Sequence, residues 1–297
     1  MLVGWSCGRR KILMGGLAAC PHLLNPDWVR VSQAEWMQII MAKIPNIDKQ
    51  LAREAALAAG RQLRKQRENW NVVTAYYAHD VKLQADREAE AVILNLLRQN
   101  SSYPILAEES GEAGGAVGPD QLRWIVDPLD GTVNYAGGVP LSAVSIGLWR
   151  GNTPIYGVIY DFWREELFEG GPDEGATLNG KAIRVSAVTE PAAAMFATGS
   201  PSGHAEDPEA LPRFMRYVGS YRKVRMIGTS ALSLAYVACG RLDVYAERVM
   251  LWDAAAGAAL VLGAGGVATV RPCPGTAYVC QVMAAACAPL LAPVTAV

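Results

Sequence analysis

The chain has 297 residues, 51% of them hydrophobic and 19% charged, with a formal net charge of −1. That length buries a sizeable core in one large domain or two joined lobes, and the composition is globular, not disordered. There is no basic surplus to grip nucleic acid or an anionic membrane surface, and no apolar run reaches the ~18 residues of a membrane span. The 6 cysteines contain no Cys-x-x-Cys pair and the 3 histidines do not cluster, which argues against a thiolate or imidazole zinc site. Reduced thiols in a cytoplasmic protein are the expectation.

Taken in chain order, the N-terminus joins a basic Arg9-Arg-Lys11 to a short apolar run ending Leu17-Ala-Ala-Cys20. This shares features with a bacterial lipoprotein signal, but the apolar run is short for one. The reading adopted is an irregular extension over residues 1–36, with the domain beginning near Met37. Pro45 should break any helix running through Glu35–Lys43. From Ile47 to Gln66 apolar residues recur at helical spacing (Ile47, Leu51, Ala55, Ala58, with Leu63 near the same face). A second helix is predicted over Asp86–Arg98, with Ala89, Val92, Ile93 and Leu96 on one face.

The pattern then changes to strands. Tyr103–Ala107 and Trp124–Val126 are short apolar runs that end in acids. Ser142–Trp149, Thr153–Asp161 and Glu165–Glu169 read as neighbouring strands, and Asn179-Gly180 as a tight turn before a strand at Ile183–Ser186. An N-terminal α+β lobe carrying the metal site is expected over residues 37–190, and a C-terminal α/β lobe over residues 191–297. The second lobe should hold a strand at Ala192–Thr198, a helix at Asp207–Tyr217 and a strand at Arg222–Ile227. A helix at Thr229–Cys239, a strand at Arg241–Ala246, a helix at Ala254–Leu262 and strands at Val267–Val270 and Tyr278–Ala284 complete it.

The chemistry concentrates in Trp124-Ile-Val-Asp-Pro-Leu-Asp-Gly-Thr132. An apolar strand delivers Asp127 at its end, and Pro128 prevents a regular central strand from continuing. Asp130 follows three residues later, so a tight turn aims both carboxylates at one point. Gly131 lets the backbone approach a ligand closely, and Thr132 opens a helix whose free N–H groups suit a phosphate. Two such aspartates repel each other, and a divalent cation lets both stay charged. All-oxygen ligation points to Mg2+ or Mn2+. Glu108-Glu109, after another strand, and Asp253, standing directly before a helix, are further acids at positions where open α/β sheets place ligands. Taken singly, Asp253 also suits a helix N-cap, Glu108-Glu109 a solvated loop and Asp-Gly-Thr an ordinary turn.

The central string, with Asn134 and Pro140 in place, resembles the Asp-Pro-x-Asp-Gly-Thr-x-Asn motif of the inositol monophosphatase family, lithium-sensitive metal-dependent phosphatases. Ala107-Glu-Glu-Ser110, Leu178-Asn-Gly-Lys181, Ile227-Gly-Thr-Ser-Ala231 and Trp252-Asp-Ala-Ala-Ala-Gly257 also resemble family segments, in register from about Ile47 to Leu290. The resemblance implies a layered αβαβα sandwich of the inositol monophosphatase and sugar phosphatase type, an α/β (α+β) fold, and a homodimer. It implies two or three Mg2+ ions, with Mn2+ as a substitute, held by Glu108, Asp127, the Leu129 carbonyl, Asp130 and Asp253, with Asp127 bridging. Gly131 and Thr132 would hold phosphate. Asp86, Glu108 and Thr132 would be catalytic, Asp86 and Thr132 together orienting the attacking water. Gly228, Thr229 and Glu247 would contact substrate.

The implied activity is Mg2+-dependent hydrolysis of a small phosphate monoester by metal-activated water. The expected substrate is inositol monophosphate or a related sugar or polyol phosphate. Adenosine bisphosphate nucleotidase, fructose-1,6-bisphosphatase or histidinol phosphate hydrolysis, and a binding protein without turnover, remain as alternatives. Three departures stand out. Lys82-Leu83 occupy the place before Asp86 where family members commonly have Val-Thr, and Asp86 also suits a helix start. The family's inositol-contacting glutamate falls at Ala246, with Glu247 one residue nearer Asp253, so either the loop has shifted or the substrate differs. Gly137 replaces the histidine that follows the family's central motif.

Overall fold

A computed structural model describes residues 45–77, 81–114, 118, 120–200 and 209–295. The predicted extension over residues 1–36, its signal-like stretch, the start near Met37 and the helix over Glu35–Lys43 lie outside the described residues.

Helix α1 (Asn46–Lys65) begins directly after Pro45, and the short α2 (Arg67–Trp70) follows it. A hairpin of β1 (Val73–Tyr76) and β2 (Val81–Leu83) leads into α3 (Gln84–Asn100). Next come β3 (Ile105–Ala107), β4 (Gly111–Ala113), β5 (Leu122–Asp130), α4 (Thr132–Gly137), β6 (Ala143–Arg150) and β7 (Thr153–Asp161). Strands β8 (Glu166–Gly171), β9 (Gly175–Leu178) and β10 (Lys181–Ala182) complete an eight-stranded sheet ordered β10-β9-β8-β7-β6-β5-β3-β4. Only its β3–β5 pair is parallel among these strands.

The remaining elements are β11 (Met195–Ala197), α5 (Ala210–Ser220), β12 (Lys223–Arg225), α6 (Ser230–Ala238), β13 (Val244–Met250), α7 (Leu251–Gly263), β14 (Val267–Pro272), β15 (Val279–Ala285) and a closing α8 (Ala292–Thr295). Their strands form a second, five-stranded sheet ordered β12-β11-β13-β15-β14.

The layers follow from the apolar faces. Helices α1 and α3 cover one face of the larger sheet over a core that includes Leu63, Ile93, Trp124 and Phe162. Helices α6 and α7 fill the space between the two sheets. A third cluster, with Phe196 stacked on Tyr221, lies on the outer face of the smaller sheet beside α5 and α8. The result is the expected αβαβα sandwich.

Local differences from the sequence expectation have physical causes. The buried face of α1 is Leu51, Ala52, Ala55, Ala56, Ala59 and Leu63, whereas Ile47 is exposed and Ala58 half-buried. Small residues win this face because the helix sits close to the sheet: a Cβ on Gly60 would stand 2.5 Å from the Tyr160 ring. On α3, Leu97 and Leu94 are buried while Val92 and Leu96 are only half-buried. No strand forms at Ile183–Ser186. After the turn, in which Asn179 has φ 49° and Gly180 φ 75°, pairing stops at Ala182.

The segment 192–198 opens with a 3-10 turn at Pro191–Ala193 and pairs only over Met195–Ala197. The predicted strand at Arg241–Ala246 begins instead at Val244, because Arg241 and Leu242 close the end of α6 by donating to the Tyr236 carbonyl. Strand β5 runs past Pro128 after all. Its ladder with β6 is interrupted between Asp127 and Asp130 and resumes at Asp130, so the proline is absorbed by a bulge. Helix α7 starts at Leu251, which makes Asp253 its third residue, not the residue before it.

Helix α7 owes its Ala-Gly composition to its place between the sheets. A Cβ on Gly157 of β7 would lie 2.2 Å from the Ala256 carbonyl oxygen and 2.7 Å from its Cα. Backbone therefore meets backbone at this crossing. Gly157→Ala should destabilise the protein by about 1–3 kcal/mol through overpacking, measured by urea unfolding; an unchanged midpoint would contradict the close crossing.

Candidate metal centre and active-site cleft

Two elements deliver three acids to one point. The bulge after Val126 turns Asp127 and Asp130 together, and the start of α7 supplies Asp253. Each offers one carboxylate oxygen, and these atoms lie within 4.8 Å of one another. They line a cleft of about 470 Å³ together with Glu108, Leu129, Gly131, Thr132, Gly228, Thr229 and Glu247. Every sequence-predicted site residue except Asp86 lines this cleft.

Asp86 sits behind it, fully buried. Its Oδ1 lies 3.0 Å from the Thr132 hydroxyl, which is also 2.9 Å from the Leu129 carbonyl oxygen. The hydroxyl has one proton to share between these two acceptors. The other Asp86 oxygen accepts from the Leu83 N–H at 2.7 Å, so the acid is both a helix-start residue and the partner of Thr132. Asp253 is held in the same manner, accepting from the Met250 N–H at 3.0 Å. Each acid thus caps the start of its helix, while Asp253 lines the cleft and Asp86 contacts Thr132.

Asp130 is gripped from the opposite side. It accepts hydrogen bonds from the Thr229 hydroxyl and from the Ala231 N–H at 2.9 Å, at the start of α6. Thr229 also caps α6 by accepting from the Leu232 N–H at 3.2 Å. Its side chain therefore positions Asp130 and the helix, a role the sequence reading did not foresee. Asp127 Oδ1 accepts from the Leu129 N–H at 3.0 Å, which shapes the turn between the two aspartates. Asn134 ties the turn to the second half of the chain, its side-chain amide reaching the carbonyls of Leu141 at 2.9 Å and Ile227 at 2.8 Å. Gly131 has φ 85°, and a Cβ there would stand 2.8 Å from the Leu141 carbonyl oxygen.

The electrostatics of these acids favour a positive charge among them. Burial drives Asp127 and Asp253 well above the ordinary carboxylate range, and the neighbouring acids push them further in the same direction. For Asp127 these are Glu108, Asp130 and Asp253. Burial lifts Asp130 to about 6, opposed by its hydrogen bonds to Thr229, Ala231 and Ser230. A buried, hard, all-oxygen donor set of this kind suits a divalent cation of the Mg2+ type. Asp127, Asp130 and Asp253 would hold one ion.

Lys82, which the sequence reading noted only as a departure, reaches into the same region. Its ammonium forms ion pairs with Glu108 and with Glu109, the latter at 2.6 Å. Glu247 was expected in a loop out of step with the family pattern, and the strand explains its position. Alternation along β13 sends Ala246 into the outer core and Glu247 into the cleft. Glu247 accepts from the Tyr245 hydroxyl at 3.1 Å and lies over Gly199, where a Cβ would stand 1.7 Å from its Oε1. Its seat exists only because residue 199 has no side chain. Thr198 and Gly199 carried no motif signal that would have placed them here.

The sequence profile of the inositol monophosphatase family matches residues 41–294. The chain belongs to the inositol monophosphatase family. It is 38% identical over 231 residues to an inositol-1-monophosphatase of Synechocystis sp., an alignment covering 75% of this chain and 79% of the relative. It is 42% identical over 193 residues to the Nus factor SuhB of Xylella fastidiosa, covering 64% and 67%. The solved structure of inositol monophosphatase from Anabaena (Nostoc) sp. superposes with a TM-score of 0.72 at 37% identity, covering 84% of this chain and 96% of that one. As a member of this family the chain is a hydrolase, a metal-dependent phosphomonoesterase. No helix among the described residues is long and apolar enough to cross a membrane.

Burial raises Glu247 from 4.5 to about 7. The folded state therefore binds its proton more tightly than the unfolded chain, and this group's effect on stability becomes more unfavourable as pH rises from 4.5 to 7. Glu247→Gln removes that loss. The metal-free variant should gain about 2–3 kcal/mol more over the parent protein at pH 8 than at pH 5, read from urea unfolding. A difference independent of pH would show that its surroundings do not raise the Glu247 carboxyl.

Proposed function

We propose that the chain hydrolyses inositol monophosphate or a closely related sugar or polyol phosphate in a Mg2+-dependent reaction. The observation that carries this reading is the convergence of Asp127, Asp130 and Asp253 beside the Asp86–Thr132 hydrogen bond in one cleft. Named relatives, the Synechocystis inositol-1-monophosphatase and the Anabaena inositol monophosphatase, support the substrate class.

In this reading Mg2+ (or Mn2+) is held by the three aspartates, with Glu108 and the Leu129 carbonyl as ligands of a further ion, and supplies charge neutralisation and activation of the attacking water. The protein's own groups do the rest. Thr132 Oγ1 accepts a hydrogen bond from the attacking water and donates to Asp86 Oδ1. Burial raises Asp86 to about 7, so it suits a proton acceptor near neutral pH. The backbone of Gly131 and Thr132 lines the place where the phosphoryl oxygens would lie. Gly228, the backbone of Thr229, and Glu247 line the place of the alcohol part of the substrate, where the Glu247 carboxylate would accept from hydroxyl groups. A homodimer in the cytoplasm completes the reading.

Phosphate release from a panel of inositol, sugar and nucleotide phosphates with Mg2+, with and without Li+, tests the assignment. Inositol monophosphate should be among the best substrates and Li+ should inhibit. Absence of release from every member by folded, metal-loaded protein would overturn the reading, and preference for a nucleoside bisphosphate would move it to that substrate class. Asp86→Asn should lower kcat about 10²-fold, and Asp127→Asn should lower it further because it strips the metal cluster. Equal residual rates would contradict the division of roles. Glu247→Gln should alter the ratio of kcat/KM between inositol and non-cyclic polyol phosphates. An unchanged ratio would remove Glu247 from the substrate contacts.

A further inference from the structure

Glu247 enters the cleft from a backbone that is held on both sides. It pairs with Val282 in the ladder of β13 and β15, and its carbonyl accepts from the Gln281 side-chain amide at 3.3 Å. On the other side, the parallel pairing of β11 with β13 ends at Ala197 opposite Tyr245. Two residues further along each strand, Gly199 comes beside Glu247. The Thr198 hydroxyl ties the two segments there by donating to the Ala246 carbonyl at 2.8 Å.

The carboxylate itself is held twice. Tyr245, on the same face of β13 and fully buried, donates its hydroxyl to Oε2 at 3.1 Å. Oε1 lies over Gly199, where a Cβ would stand 1.7 Å from Oε1 and 2.4 Å from Cδ. Gly199 does not have a positive φ, so its backbone does not require glycine. The carboxylate above it does. That carboxylate is the end of a flexible side chain, so a methyl group at residue 199 would turn it to another rotamer and leave the strands in place. Val249 and Met250, which also line the cleft, offer a substrate hydroxyl no side-chain oxygen or nitrogen.

We propose that Gly199 and Tyr245 are specificity-determining residues, which position the Glu247 carboxylate so that the cleft favours phosphates of polyols over phosphates of alcohols with no second hydroxyl. The seat on Gly199 and the tyrosine hydroxyl fix where Oε1 and Oε2 stand, so a substrate hydroxyl meets an acceptor that is already oriented. Such an acceptor loses little rotamer freedom when the bond forms, and a carboxylate accepts more strongly than a neutral group. A polyol phosphate gains from this, and a phosphate ester without a further hydroxyl does not. Both residues act through Glu247, and the inference rests on the reading of Glu247 as a substrate contact.

The test is the ratio of kcat/KM for inositol 1-phosphate to that for phenyl phosphate, whose alcohol part has no further hydroxyl. It is measured on full-length protein with Mg2+ at pH 8, above the value of about 7 to which burial raises Glu247. Gly199→Ala should lower the ratio about tenfold or more. Tyr245→Phe, which removes only the hydroxyl, should lower it in the same direction. In a Glu247→Ala background no carboxylate remains to be displaced, and Gly199→Ala should change the ratio no further. An unchanged ratio in folded Gly199→Ala, or an equal loss with and without Glu247, would overturn the inference. If Gly199→Ala does not fold, the same pair of measurements on Tyr245→Phe decides. Failure of the underlying reading looks different: Glu247→Ala alone would then keep the parent ratio, which removes the contact that the two residues would position.

Discussion

Negative charge packed out of water is the constraint around which the rest of the molecule is arranged. Asp127, Asp130, Asp253 and Glu108 stand close enough to raise one another's proton affinity, in addition to what burial does. Such a cluster is costly without partners. The fold offsets the cost with backbone dipoles. The start of α6 donates to Asp130, the residue before α7 donates to Asp253, and the residue before α3 donates to Asp86. Each helix start supplies N–H groups that have no partner inside the helix, so acids and helix ends satisfy each other. What these donors leave unbalanced is the charge a divalent cation would supply, except at Glu108, where Lys82 supplies it.

The scaffold holds this arrangement by close contact, not by bulk. Helix α7 carries Asp253 on its first turn and then runs between the two sheets as Ala254–Ala259, small enough for β7 to approach at Gly157. A shift of α7 would move Asp253 relative to the Asp127–Asp130 turn, so packing far from the cleft sets its geometry. Asn134 performs a similar task from the turn itself, joining carbonyls near Leu141 to those near Ile227 with one side-chain amide. The acidic end of the cleft is therefore fixed by several elements. The other end, with Glu247 over Gly199, depends on a single strand and one absent side chain.

Much of this was readable beforehand. The motif Asp127–Thr132, with Glu108 and Asp253, named the family and most of the cleft, because turn residues and strand-end acids act through local chemistry. The two long helices and strands β6 and β7 followed from periodicity. Reading failed where distant segments decide. Ile47 continued an apolar stripe and yet faces water, since the sheet selects the alanine and glycine face of α1. Ile183–Ser186 has strand composition, yet past the Ile183 N–H bond to the Ala176 carbonyl it joins no ladder. Lys82 looks like a mere departure from a pattern; its meaning appears only where its ammonium meets Glu108 and Glu109 after β3.

The sequence by itself determined the chemistry of the site, since six residues from Asp127 to Thr132 carry two carboxylates, a turn and a hydroxyl whose relations are set by short-range backbone geometry. The layered fold was legible through the family resemblance, since periodicity marked the elements and left their topology open. Only the tertiary structure decided how the charges are balanced and which further residues line the cleft. Those depend on contacts between segments far apart in the chain: Lys82 with Glu108 and Glu109, Thr229 with Asp130, Gly199 beneath Glu247. Electrostatic balance is a property of distances in space, and spacing along the chain does not encode it.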